Sequence, residues 1–149
     1  MQKILFGIFL GLAVNSQSHG KASLGVTDGK LAPCPASPNC VSTQADPSDH
    51  VHYIEPIHYT ITRAQAKEAL LRAILEIKKV AILTNTDDYI HAEFRTPLMN
   101  FTDDVEFYFP ENERVIHFRS ASRIGYGDIG TNRKRMEDVR KRFLTVVSK

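Results

Sequence analysis

Several features that would place this chain in a functional class are missing from its sequence. The formal net charge is only +2, and the lysines and arginines are not interleaved with aromatic residues, so no nucleic-acid partner is expected. No internal repeat is visible at any period, which argues against a solenoid or a propeller. Two cysteines are too few for a metal site unless histidines add ligands. What remains is a chain of 149 residues with ordinary hydrophobic content, long enough for one domain with one core.

The N-terminus predicts export. A positively charged start at Lys3 precedes an uncharged apolar run, residues 4–14, and small polar residues follow, including Ser16 and Ser18. This layout is typical of a secretory signal peptide, and the run is shorter than the roughly 20 residues that span a bilayer. We therefore predict a signal peptide at residues 1–22 and a mature protein that is periplasmic or secreted. The alternative is an uncleaved N-terminal anchor, which would be the only means of membrane association.

Residues 23–50 form a segment rich in proline and serine that contains Cys34 and Cys40. In an exported chain, two cysteines more often form a disulfide than a metal site, so we predict a disulfide between them. Buried free thiols are a second interpretation. A metal site is a third, and it would need nearby histidines, whose spacing is irregular. We predict that this segment is an arm or loop and that residues 51–149 form a single α+β domain.

Two helices are predicted from apolar periodicity. In residues 62–79, Thr62 and Gln65 match a capping box, and apolar residues recur at three- and four-residue steps. Residues 132–147 carry a second apolar stripe at the end of the chain.

Strands are predicted on both sides of the first helix. One lies within residues 51–61 and another at 80–84, and three further runs at 89–96, 103–109 and 114–122 alternate apolar and polar residues. Because these runs are joined tightly, neighbouring strands must be antiparallel. The predicted fold is α+β in the order β-α-β-β-β-β-α, with an antiparallel sheet of four to five strands and two helices packed on one face.

The face of the sheet away from the helices is predicted to be solvated and charged. Its residues would be His91, Glu93, Arg95, Asp104, Glu106, Tyr108, His117 and Arg119. Opposite charges on neighbouring strands contribute roughly 0.2–1 kcal/mol per pair, so ordinary cross-strand pairing is one interpretation. The other is a ligand surface, with Arg95 and Arg119 as anion donors that the acidic residues hold in place.

The turn after the last strand contains the pattern G-x-G-x-x-G at residues 125–130, as in dinucleotide-binding loops. The following helix ends the chain, so no second parallel strand follows and no acidic residue is placed to bind a ribose hydroxyl. We treat the match as coincidence and predict no cofactor.

Three cations fill the first turn of the last helix, where the helix dipole favours anions. They are Arg133, Lys134 and Arg135. A nearby carboxylate from Asp128, Glu137 or Asp104 would compensate for them. The alternative is a bound anion, held by backbone amides of the turn together with Arg123 or Arg133.

Five separated blocks of the sequence resemble the family known as domain of unknown function 1499. In order, they are LAPCPASPNCV (31–41), HAEFRTP (91–97), DDVEF (103–107), RSASRIG (119–125) and DIGTNR (128–133). The resemblance covers roughly residues 31–144, and the polar positions that it matches are Cys34, Asn39, Cys40, Arg95, Asp104, Glu106, Arg119, Ser122, Arg123, Asp128, Asn132 and Arg133. Members of this family are often exported or membrane-associated, and the resemblance implies no activity.

Three functions are compatible with these observations. The leading hypothesis is a non-enzymatic exported binding module for an anionic small molecule or a protein segment, without a metal or a cofactor. Its ligand-binding residues would be Arg95, Asp104, Glu106, Arg119, Ser122, Arg123, Asp128, Asn132 and Arg133. The second hypothesis is an envelope structural or interaction protein in which polar residues form a buried salt-bridge network. The third is a hydrolase-like enzyme that uses His91, Asp104 and His117, although Ser120 and Ser122 lack a nucleophile-elbow pattern.

Overall fold

A computed structural model describes residues 23–149 of the chain. The predicted signal peptide, residues 1–22, lies outside the described residues. No helix within the described part is both long and apolar enough to cross a bilayer.

The fold is an antiparallel sheet with two helices. The strands are β1 (Val26–Thr27), β2 (Lys30–Leu31), β3 (Cys40–Ser42), β4 (Ile57–His58), β5 (Val80–Asn85), β6 (Tyr89–Arg95), β7 (Thr102–Tyr108) and β8 (Val115–Ser122), and the helices are α1 (Arg63–Leu75) and α2 (Thr131–Val147). The main sheet has the order β3-β8-β7-β6-β5, with β4 also pairing with β8, while β1 and β2 form a separate hairpin. From β4 to α2 the order is β-α-β-β-β-β-α, which confirms the predicted α+β class. The sheet has six strands rather than four to five, because β3 adds a strand at one edge.

Helix α1 begins where its sequence predicts. The backbone N–H of Gln65 donates to Thr62 Oγ1, and the backbone N–H of Thr62 donates to Gln65 Oε1, so both halves of the capping box are formed. The helix ends at Leu75, four residues before the predicted Lys79. Lys79 adopts a left-handed backbone with φ of 62°, which turns the chain into β5.

The hydrophobic core lies between the sheet and the two helices. Its largest fully buried apolar side chains are Phe107, Phe109, Phe118, Phe143, Ile57, Leu70, Ile74, Ile90, Ile116 and Met136. In β6, Ile90, Ala92 and Phe94 enter this core, as the alternation predicts. Burial of each large apolar side chain contributes about 1.5–3 kcal/mol, so this face accounts for most of the stability of the fold.

The arm, residues 23–50, covers the opposite face of the sheet, which we call the arm face. Strand β3 pairs with β8, a disulfide joins Cys34 and Cys40 as predicted, and the N–H of Gly25 reaches the carboxylate of Glu106 at 2.7 Å. The expectation that this face is solvated is therefore wrong. Its buried polar residues are His91, Asp104, Glu106 and Arg119. Alternation in a strand shows which residues share a face, but not what packs on that face.

We expect that Thr62→Ala lowers the free energy of unfolding by about 1 kcal/mol, because it removes the acceptor for an otherwise unpaired helix amide. Urea denaturation monitored by circular dichroism measures the loss. Thr60→Ala is the matched control, since Thr60 is also exposed and lies just before the cap. Equal losses in the two variants would show that the capping hydrogen bond contributes nothing.

Candidate functional site

The nine residues predicted to bind a ligand lie in separate places. Asp104, Glu106, Arg119 and Arg123 belong to the arm face. Ser122, Asp128 and Asn132 meet at the start of α2. Arg95 is exposed at the end of β6, and Arg133 contacts the carbonyl oxygen of Val51 at 3.1 Å. Ligand binding by these residues stays a prediction, but their arginines do not converge on one anion site.

Glu106 is the centre of the arm-face network, and its carboxylate is 0% exposed. It accepts hydrogen bonds from the Tyr89 hydroxyl at 2.8 Å and from the Gly25 amide at 2.7 Å, and it lies 3.5 Å from Nη1 of Arg119. Burial and the hydrogen bond to Glu106 raise the pKa of the Tyr89 phenol, which therefore stays protonated and donates at neutral pH. Nε of Arg119 is buried without a hydrogen-bond partner among residues 23–149.

Asp104 is the second buried carboxylate of the arm face. Nε and Nη2 of Arg123 both donate to it at 2.8 Å, and Nε2 of His91 lies 2.8 Å from Oδ1. Arg123 also donates to Glu93. Burial by itself would raise the pKa of Asp104, but the hydrogen bonds from Arg123 and His91 outweigh it and hold the pKa below its ordinary value. The guanidinium of Arg123 is thus already balanced by carboxylates of the chain.

At the start of α2, the carboxylate of Asp128 caps the helix by accepting hydrogen bonds from its first amides. Its Oδ1 accepts from the amide of Gly130 at 2.9 Å, and its Oδ2 accepts from the amide of Asn132 at 2.9 Å. The side chain of Asn132 extends the cluster by donating to Ser122 Oγ at 2.9 Å. Asp128 was one of the three carboxylates predicted to compensate for the cations of the first turn, but the cation Arg135 pairs with Asp103 instead. Asp128 accepts from helix amides that a bound anion would need.

Arg135 was not foreseen as a buried partner. It forms an ion pair with Asp103, and its guanidinium lies 5.4 Å from the ring centroid of Phe94. The sequence contained a signal for this buried ion pair, because Asp103 and Asp104 are consecutive in a strand and their side chains therefore point to opposite faces of the sheet. One of two neighbouring acidic residues must face the helices, where it needs a cation.

The acid–base residues of the hydrolase hypothesis do not form one set. His91 is paired with Asp104, whereas Nδ1 of His117 lies 3.0 Å from Thr43 Oγ1. Within the described residues, no three histidine, cysteine or acidic side chains are grouped so that they could hold a metal ion.

A cavity of about 470 Å³ opens at one end of the sheet, and we call it the loop groove. It lies between two loops, residues 96–101 and 123–130, which together form what we call the loop end of the domain. The apolar residues that line it are Pro97, Leu98, Met99, Phe101, Ile124 and Ile129. Asp103, Ser122 and Asp128 also line it, so two of the nine predicted ligand residues border this groove.

The apolar side chains of the loop end are turned towards solvent. Leu98 is 92% exposed and Ile129 is 95% exposed. Met99, Phe101, Ile124 and Tyr126 are exposed as well. This feature was not predicted, although large apolar residues beside glycine and proline in turn segments were an available signal in the sequence.

Ile129 also has an unfavourable backbone. Its φ of 55° is left-handed, and a β-branched residue in that conformation is a genuine outlier that costs about 1–2 kcal/mol. The exposed side chain gains little packing within the domain in return. Strain of this kind is typical of residues retained for a ligand contact rather than for stability.

We expect that Arg119→Met lowers the free energy of unfolding by about 3–5 kcal/mol, because it leaves the Glu106 carboxylate buried without its cation. The double variant Arg119→Met/Glu106→Gln should be more stable than Arg119→Met alone, since it removes both charges and keeps an acceptor for Gly25. Chemical denaturation of the single and double variants measures this coupling. Arg72→Met in the exposed Arg72–Glu68 pair is the control and should cost less than about 1 kcal/mol. Additive losses would contradict a coupled pair.

The pH dependence of stability tests Asp104. Because its folded-state pKa is below the ordinary value of 3.8, the ionised carboxylate stabilises the fold above that pH, and this contribution is lost as the pH falls from 3.8 through the lower folded-state pKa. We expect Asp104→Asn to flatten the acid side of the stability profile, measured by thermal unfolding. Asp138→Asn, at an exposed position of α2, should leave the slope intact. If the stability of both variants fell with the same slope at acid pH, Asp104 would not be the cause of the acid-dependent loss of stability.

A family model described as Protein of unknown function (DUF1499) matches residues 30–143. The match includes most of the arm, the whole main sheet, both loops of the groove and most of α2. No match was found among curated proteins. The family model confirms the resemblance of the five sequence blocks, and the chain belongs to the DUF1499 family.

Proposed function

We propose that the chain is an exported, non-enzymatic binding module that holds an anionic amphiphile, with the apolar part of the ligand in the loop groove. The observation that carries this proposal is the exposed apolar lining of that groove. Five large apolar side chains that line it are exposed, and they come from two loops: Leu98, Met99, Phe101, Ile124 and Ile129.

The size and lining of the groove support an apolar ligand. Small-molecule sites are typically concave, mostly apolar and about 300–1,000 Å³ in volume, and the loop groove lies within that range. Exposed apolar side chains that are grouped, rather than scattered singly, mark binding surfaces. The strained, almost fully exposed Ile129 at the rim adds independent support.

The two carboxylates that line the groove are already bound, Asp103 by Arg135 and Asp128 by amides at the start of α2. The cations beside the groove therefore support an anionic end on the ligand. Nζ of Lys79 donates to the carbonyl oxygen of Pro97 at 3.0 Å, which places this cation at the base of one loop. Arg95 immediately precedes the same loop, and neither cation forms an ion pair within the range 23–149. The acidic residues of the strand connections lie at the opposite end of the sheet. They are Asp87, Asp88, Glu111 and Glu113.

The pairing within the arm face favours a different role for Glu106, Asp104, Arg119 and Arg123. Their charges are balanced among themselves, as the hypothesis of a structural or interaction protein requires. Because the arm contributes the Gly25 amide to this network, we propose that the network holds the arm on the sheet. This role is compatible with ligand binding at the loop end, and it removes the need for an external anion at these residues.

Export is part of the proposal. The Cys34–Cys40 disulfide supports an oxidising compartment, because disulfides are rare in reducing cytosol. The cationic and apolar loop end would then face the lipids and metabolites of the envelope or the surroundings of the cell.

Ile129→Asn tests the groove without unfolding the protein. We expect at least about tenfold weaker binding of monomeric dodecanoate, because the ligand loses a large apolar contact. Stability should rise by about 1 kcal/mol, because asparagine tolerates a left-handed backbone better than isoleucine does. Isothermal calorimetry measures the affinity and chemical denaturation measures the stability.

Leu144→Gln is the matched control, since Leu144 is an exposed apolar residue of α2 outside the loop groove. It should bind dodecanoate as the native protein does. Dodecyl maltoside, which has the same alkyl chain without a charge, should bind more weakly than dodecanoate. Absence of dodecanoate binding, or equal binding by native protein and Ile129→Asn, would refute the proposed function.

A further inference from the structure

We infer that the loop end of the domain docks on the surface of an anionic lipid bilayer, which supplies the amphiphile that the groove holds. This inference rests on the proposed function, and it identifies the partner from which the ligand comes. Four observations carry it: an exposed aromatic residue outside the groove, the distribution of apolar side chains over two loops, the cations beside them, and the acidic opposite end.

Tyr126 distinguishes a surface from a single bound molecule. It is 74% exposed and lies in the same loop as Ile124 and Ile129, yet it does not line the loop groove. A soluble ligand in the groove would cover the lining residues and leave Tyr126 in water. A bilayer pressed against the loop end would cover Tyr126 together with the rim of the groove.

The residue types at the loop end fit the boundary between lipid and water. Tyr126 and Phe101 are aromatic, and tyrosine is enriched at that boundary because its ring is apolar and its hydroxyl is polar. Leu98 and Ile129 are the most exposed apolar residues of the two loops and would enter the acyl region. Contact through two loops fixes the orientation of the domain, whereas a single loop would let it rotate.

The cations beside the loops favour anionic lipids. Lys79 contacts the 96–101 loop through Pro97, Arg95 immediately precedes that loop, and Lys78 precedes Lys79 in the turn before β5. A lysine or arginine near an anionic leaflet adds attraction that falls off within a Debye length. These three side chains have no carboxylate partner in the part of the chain that the structure describes.

The acidic opposite end sets the direction of approach. The 86–88 turn and the 109–114 connection carry their carboxylates at the far end of β6 and β7, about 20 Å away for strands of seven residues. An anionic surface would therefore attract the loop end and repel the other end. The same charges argue against a second copy of the chain as the partner, because two cationic loop ends would repel each other.

This docking does not need the N-terminal segment. The sequence led us to expect membrane association only through an uncleaved N-terminus, within residues 1–22. The loop end and the cations beside it offer a second route that is formed entirely by residues 78–130.

The test uses protein purified after export, with its N-terminus mapped by mass spectrometry. Cosedimentation is measured with vesicles of phosphatidylcholine alone and with vesicles containing equal parts of phosphatidylcholine and phosphatidylglycerol. We expect stronger binding to the anionic vesicles, and weaker binding as salt is added. Tyr126→Ser should weaken anionic vesicle binding roughly fivefold while leaving dodecanoate affinity unchanged, because Tyr126 lies outside the groove.

Arg95→Gln should weaken binding to the anionic vesicles about fivefold and should have little effect at high salt. Leu144→Gln, the same control as above, should bind vesicles as the native protein does.

If the protein binds dodecanoate but does not bind vesicles, the docking inference is overturned and the groove proposal stands. Vesicle binding without dodecanoate binding would refute the groove proposal. Vesicle binding that Tyr126→Ser leaves unchanged, or a dimer that Tyr126→Ser disrupts, would also overturn docking.

Discussion

The fold depends on a buried carboxylate. Glu106 is fully enclosed and accepts hydrogen bonds from an amide of the arm and a phenol of β6, with an arginine of β8 beside it. A carboxylate in such a place is strongly unfavourable without these partners, so the arm, the sheet and Arg119 have to be present together. The proline-rich arm is thereby part of the domain, although it has few backbone pairs of its own. The disulfide and the pairing of the short strand β3 with β8 also hold the arm against the sheet.

At the loop end large apolar side chains are exposed, whereas in the sheet charged side chains are buried, which is the opposite of the usual arrangement. Charged side chains of the sheet are buried and paired with one another, while large apolar side chains of two loops face solvent. Pairing compensates the buried charges of the sheet and leaves few of its arginines available to a ligand. Exposed apolar groups beside cations that form no ion pair among residues 23–149 instead favour a ligand, or a surface, that is both apolar and anionic. The strained backbone at Ile129 fits this division, because it costs stability at the position where contact is proposed.

Local sequence signals predicted much of the framework. The capping box at Thr62 placed the start of α1, and the alternation in β6 to β8 placed the core face. Each of these depends on residues within a few positions of one another, where backbone geometry fixes the distances. The cysteine pair, six residues apart, belongs to the same class of short-range features.

By itself, the sequence determined the fold class, the two helices, the order of the strands from β4 onwards and the disulfide, because helical and strand periods and short loops are local properties. The tertiary structure alone decided that the arm face is buried, that Arg123 donates hydrogen bonds to Asp104 and Glu93, and that Asp103 pairs with Arg135. It also decided that two loops separated by more than twenty residues meet around one groove. The reason is that a pattern within one strand or loop records which side chains share a side, whereas burial and grouping depend on which distant segment packs there.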